Sequence, residues 1–266
     1  MRKIALKIQY CGTAYHGWQR QAKDITVQEV LERALELTCE ESIRTVGCGR
    51  TDAGVHARTY CVSFDTGAKI PLDRLPLALN ARLPQDIAVL AAVEAPADFD
   101  AILSCVKKEY TYQILNSRIR DPFLAPFSYF YPRPLDHKKM AAGAAAFVGT
   151  HDFAAVRSVG SQTKTTVRTV HSFEVERRGD LIRLRVAANG FLYNMARAMA
   201  GTLLYVSQGK IAPEEIPALL ARGDRTKTGP TAPPEGLALT RLWYEGVVGQ
   251  MMGQDNDSLT KKEVEG

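Results

Sequence analysis

Twice along this chain the spacing of apolar residues switches from every second position to every third or fourth and back. No other feature constrains the fold as much. Ile4, Leu6, Ile8 and Tyr10 alternate with polar residues, the period of a strand with one buried face. Thr26-Val-Gln-Glu29 is a capping box, and Val27, Val30, Leu31, Ala34 and Leu35 follow at helical spacing. A strand around 44–49 leads into a glycine-rich loop, and 58–65 leaves it with Tyr60, Val62 and Phe64 on one face. Pro71 and Asp73 open a short helix through Leu75 and Leu79, and 87–93 is a buried strand. The first half reads β-α-β-β-α-β.

The second half repeats that order without repeating the sequence. Tyr110, Tyr112 and Ile114 share a face of a strand over 106–115. Asp136 caps an alanine-rich helix that ends near Gly149, and 165–175 with 181–187 form a hairpin around Arg178-Gly-Asp180. Leu192, Met195, Met199 and Leu203 line one side of a strong helix, Pro213 and Gly223 bound another, and 237–244 is a last strand. Antiparallel hairpins mixed with helices place the chain in the α+β class. The expected organisation is an N-terminal half over 1–104, a C-terminal half over 105–246 and a polar, disordered tail over 247–266. No apolar run is long enough to span a membrane.

Gly47-Cys-Gly-Arg-Thr-Asp-Ala-Gly-Val-His-Ala57 carries the one conspicuous candidate site, with Asp52 between glycines. Gly49 and Gly54 have the spacing of a phosphate-binding loop, but Val55 and His56 stand where lysine and a hydroxyl residue must be. Gly47 and Gly49 lack the third glycine of a dinucleotide fingerprint and lead into a strand. Asp52 with His56 supplies two metal ligands at most, which leaves a metal-dependent nuclease as a weak alternative. Capping a turn is the bland role for Asp52. A carboxylate can also act as a nucleophile at a glycosidic carbon, which needs a cation to keep it ionised and an aromatic to stack the base. Tyr110 and Arg197 are residues of those types, but pattern alone does not bring them to Asp52. The five cysteines contain no C-x-x-C pair and suggest neither disulfides nor zinc, as expected of a reduced, cytoplasmic protein. Net charge is +5 overall and +7 over 1–246, with seven basic against three acidic residues between Arg157 and Arg185. Such a body favours an anionic partner such as nucleic acid.

The loop resembles the signature of the TruA family of tRNA pseudouridine synthases. The resemblance continues in Tyr15-His-Gly-Trp-Gln-Arg-Gln21, Tyr131-Pro-Arg-Pro-Leu-Asp136 and Gly160-Ser-Gln-Thr-Lys-Thr-Thr-Val-Arg168. Phe191-Leu-Tyr-Asn-Met-Ala-Arg-Ala-Met-Ala-Gly201 and Ala232-Pro-Pro-Glu-Gly-Leu237 extend it in the family's order over about 1–246. Thr111 stands where many members have arginine, and 247–266 matches nothing in the family.

The resemblance implies a pseudouridine-synthase fold, with two related halves and mixed or antiparallel sheets flanking a basic cleft, assembled as a homodimer. It implies isomerisation of uridine to pseudouridine at positions 38, 39 and 40 of the tRNA anticodon stem-loop, with no cofactor and no metal. Carried over by position, Asp52 is the nucleophile, Arg197 its partner, and Tyr110 the residue against the flipped-out base. Arg50 and Arg58 flank the aspartate. Lys164 and Arg168, in the basic stretch after Ser161, are expected to position RNA. A non-catalytic RNA-binding protein of the same fold is the alternative.

Overall fold

The structure, a computed structural model, describes residues 1–158 and 163–253. It divides into two compact units, Met1–Lys107 with Leu239–Gly266, and Lys108–Ala238. The boundary thus falls three residues beyond the expected one, and the chain from Leu239 onward returns to the first unit. Periodicity identifies a strand near 237–244 but not the sheet it joins.

In the first unit the strand order is β4 (Ile87–Glu94), β1 (Arg2–Tyr10), β3 (His56–Thr66), β10 (Leu237–Trp243). β1 is antiparallel to both β3 and β4, and the two-residue β2 (Val46–Gly47) pairs with β3. Ile4, Leu6 and Ile8 lie opposite Phe64, Val62 and Tyr60, so the alternating faces read from the sequence meet in one apolar layer. Between Ile8 and Tyr10 the register shifts, because β3 carries one extra residue between Ala57 and Tyr60. That bulge bends β3 where it leaves the Asp52 loop.

Helix α1 (Val27–Cys39) starts where Thr26 Oγ1 accepts the amide of Glu29, and it buries Val27, Leu31, Ala34 and Leu35. Glu32 is buried with them. Its carboxylate accepts from Thr45 N at 2.9 Å, Thr45 Oγ1 at 3.0 Å and Gln28 Nε2 at 3.3 Å, with Arg20 and Arg44 at 3.3 and 3.6 Å. A buried carboxylate is tolerated when its lone pairs are satisfied in this way. Here it ties the approach to β2 onto α1. Helix α2 (Leu75–Asn80) follows β3 and buries Leu75 and Leu79.

The polar composition of 247–266 suggests disorder, yet Gly246–Met251 forms a helix, α6. Val248 and Met252 are buried, and Lys7 Nζ donates to the carbonyls of Met251 and Met252, a cation at the helix C-terminus. Two apolar anchors outweigh the surrounding polarity. The rest of the expected tail, 254–266, lies outside the described residues.

The second unit holds β5 (Lys107–Leu115), β9 (Leu181–Ala188), β8 (Val167–Arg178) and β7 (Gly149–Asp152) in that order, antiparallel throughout, with β6 (Tyr129–Phe130) parallel to β5. Asp136 Oδ1 accepts the amides of Lys138 and Lys139 and so starts α3 (His137–Ala145). Helix α4 (Met195–Ser207) departs from the one-sided pattern: Ala196, Ala198, Ala200, Gly201 and Leu204 are buried as well as Met195, Met199 and Leu203. Small residues make this possible by letting neighbours close in on every side. Gly143 of α3 faces Leu203 and Val206, and α5 (Ile216–Arg222) ends at Gly223 with φ +67°.

A side chain on Gly201 would overlap the carbonyl of Pro230. Alanine is the better helix former by about 1 kcal/mol, but here the clash is with main chain and overpacking costs roughly 1–3 kcal/mol. Gly201→Ala should therefore destabilise the protein, lowering its urea midpoint. A raised midpoint would mean that residues 229–231 do not lie against α4.

Candidate active site

The loop from Gly47 to Ala57 rests on aromatic rings of the first unit. Trp18 and Tyr60 pack with centroids 4.3 Å apart, and Tyr10 lies edge-on to Tyr60 at 5.5 Å. The Tyr60 hydroxyl donates to the carbonyl of Gly49, and a Cβ on Gly47 would overlap both that hydroxyl and the Trp18 indole. Residue 47 must be glycine for the loop to sit on this bed.

The segment 10–18 clasps the loop on both sides of Asp52. Thr51 is held twice, its Oγ1 by the Tyr10 hydroxyl at 2.9 Å and its carbonyl by the Trp18 amide at 3.3 Å. Beyond Asp52, the amide of Gly54 donates to Tyr15 O at 3.1 Å, and Gly12 N donates to His56 Nδ1 at 3.0 Å. Asp52 itself opens a tight turn whose main-chain bond runs from Val55 N to Asp52 O, with Gly54 at φ +77°. The carboxylate-bearing residue is half-buried, flanked by buried Thr51 and exposed Ala53.

Accepting from Gly12 commits Nδ1 of the buried His56 to the backbone, which places the proton of the neutral ring on Nε2. Among the described residues no group of three or more His, Cys, Asp or Glu is arranged to hold a metal ion. Arg50 and Arg58 are exposed at the two ends of the loop.

The other expected site residues belong to the second unit. Tyr110 on β5 is 9% exposed, pairs with Val186 across the ladder and meets Phe191 edge-to-face at 4.9 Å. Arg197 on α4 is half-buried, its Nε donating to Ala232 O at 2.7 Å and its NH1 to Asn194 Oδ1 at 2.9 Å. It is an oriented guanidinium rather than one on a solvated face. Its charge also bears on Tyr112, whose phenol is pushed up by burial and by Glu235 against the opposing pull of Arg197. Arg168 NH1 donates to the carbonyls of Thr165 and Val167, and burial lowers its pKa. Lys164 is exposed, and Ser161 with its neighbours 159–162 lies outside the described residues. Phe191 opens the segment that contains Arg197, but a single aromatic there carries no signal of its own in the sequence.

A family model described as tRNA pseudouridine synthase matches residues 7–102 and 144–245. The chain belongs to that family. It is 43% identical over 244 residues to tRNA pseudouridine synthase A of Thermoanaerobacter sp. (strain X514), covering 92% of this chain and 100% of the relative. The proteins of the same name from Caldicellulosiruptor bescii and Geotalea uraniireducens are each 44% identical, with the same coverage of both chains. The family match takes in the Asp52 loop, its clasp and Arg197, while Tyr110 lies between the two matched spans. Among the described residues no helix is long and apolar enough to cross a membrane.

Gly17 has φ +82°, and a Cβ there would overlap the carbonyl of Thr51. Gly17→Ala should cost roughly 2 kcal/mol or more, combining strain with a main-chain clash. It should also shift tryptophan emission to the red as Trp18 loses its buried seat. Unchanged emission and an unchanged unfolding midpoint would show that the clasp does not approach the loop this closely.

Proposed function

We propose that this chain isomerises uridine to pseudouridine at positions 38, 39 and 40 of the tRNA anticodon stem-loop, with Asp52 as the nucleophile. The observation that carries the reading is the match to tRNA pseudouridine synthase A relatives along their whole length. A homodimeric, cytoplasmic enzyme acting on tRNA is part of the same proposal.

In the reaction the C1′–N1 bond of uridine breaks, the uracil turns, and C1′ rejoins the base through C5. C5 gives up a proton and N1 takes one, so atoms and electrons balance within the nucleotide. No cofactor or metal enters the proposal. The target must first leave its stack, at a cost on the order of a few kcal/mol. Phosphate contacts from the basic body, +7 over 1–246, offset that cost.

Within this reading each side chain has a separate task. Asp52 sits on a loop whose neighbours are fixed at Thr51, Gly54 and His56, so its carboxylate is presented from a rigid support. Arg197 favours the ionised form of Asp52, and its hold on Ala232 and Asn194 keeps the guanidinium aimed. Tyr110, braced by Phe191, packs against the flipped base. Arg50, Arg58, Lys164 and Arg168 hold RNA. A binding module alone would need no oriented arginine of this kind.

Asp52→Asn should abolish pseudouridine formation on unmodified tRNA while tRNA affinity falls little, because affinity rests mainly on phosphate contacts. Substantial turnover by this variant would make the carboxylate structural. Lys164→Ala should raise KM and reduce the salt slope by roughly one unit, whereas Arg197→Ala should lower kcat at saturating tRNA. Single-turnover rates across a salt series separate the two, and a wild-type rate for saturated Arg197→Ala would reduce it to another RNA contact.

A further inference from the structure

We infer that Tyr15 and Asp86 are a positioning pair for Asp52, fixing the loop from outside through the main chain of Tyr15. The inference rests on the reading of Asp52 as nucleophile. Asp86 lies just ahead of β4, 71 positions from Tyr15 in the chain. The hydroxyl of Tyr15, a largely buried residue, donates to Asp86 Oδ1 at 2.6 Å. The carbonyl of the same aspartate accepts the amide of Cys11 at 2.8 Å. One residue therefore holds both ends of the 11–15 turn, which Tyr15 N closes internally on Gly12 O at 3.0 Å.

That turn is the part of the clasp that reaches past Asp52. Tyr15 O takes the amide of Gly54, and Gly12 N engages His56. Gly54 is the third residue of the turn that Asp52 opens, so a shift of Tyr15 moves the turn and the carboxylate with it. Asp86 is itself a firm anchor, because its neighbour Ile87 is paired with Tyr10 in the β1–β4 ladder. Burial first, and then the hydrogen bond to Asp86, push the Tyr15 phenol above its ordinary pKa. The hydroxyl is thus a donor throughout the working pH range. In this chain of contacts both side chains act through peptide groups.

Three variants separate positioning from bulk stability. Tyr15→Phe removes only the hydroxyl, Asp86→Ala removes its acceptor, and Asp86→Asn keeps an Oδ1 to accept it. Misplacing a reacting group by about 1 Å costs up to about 100-fold. Tyr15→Phe and Asp86→Ala should accordingly slow single-turnover pseudouridine formation at saturating tRNA by roughly 10- to 100-fold, well below their unfolding midpoints, with tRNA Kd little changed. Asp86→Asn should restore most of the rate, and the double variant Tyr15→Phe/Asp86→Ala should be no slower than either single one. Hydrogen exchange at the Gly54 amide should quicken in both damaging variants and recover in Asp86→Asn. A wild-type rate in Tyr15→Phe, losses that multiply in the double variant, or unchanged Gly54 exchange would each overturn the inference. Faster Gly54 exchange beside an active Asp52→Asn would instead overturn the nucleophile reading on which it rests.

Discussion

Bare backbone meeting bare backbone is the constraint on which the Asp52 loop depends. Gly12 lies against the carbonyl of Val55 and Gly17 against that of Thr51, each at a separation that leaves no room for a Cβ. These approaches let the segment between β1 and α1 reach the amides and carbonyls of the loop. Without them the hydrogen bonds to Thr51, Gly54 and His56 could not form together. Loops of this kind are usually mobile, since their polar groups face water. This one has the Thr51 carbonyl and the Gly54 amide bonded by a neighbouring segment, so the glycines that look permissive in the sequence serve rigidity instead.

The same economy governs the charged groups. Glu32 is buried beneath Arg20 and Arg44 yet accepts from a backbone amide, a hydroxyl and a side-chain amide. Arg197 is half-buried and spends two donors on a carbonyl and an amide oxygen. In both cases neutral hydrogen-bond partners help to fix the direction of the charge. An oriented guanidinium favours a nearby anion.

Local signals were legible in the sequence and long-range ones were not. The Thr26 and Asp136 caps, the alternation of β1 and the Gly223 stop each act within four residues, and each lies where the pattern placed it. The shortness of β2, the bulge in β3 and the small strands β6 and β7 depend on partners elsewhere in the chain, so no window of residues encodes them. The loop containing Asp52 stood out by composition. Its clasp did not, because most of its contacts involve peptide groups that any residue possesses, between positions far apart in the chain. Tyr15 and Trp18 lay inside a family motif, but the motif names residues without saying what they hold. The burial of α4 on every side was likewise hidden, since alanine counts little in a hydrophobic stripe and much in close packing.

The return of β10 and α6 to the first unit has a consequence for synthesis on the ribosome. β10 pairs beside β3, and α6 is capped by Lys7 of β1. Those partners emerge early, while β10 emerges only after all of Lys108–Ala238 has been made. The strand leaving the Asp52 loop therefore presents an unpaired edge during elongation, until Leu237–Trp243 supplies its neighbour. Assembly of the first unit is completed only after the second unit has been synthesised.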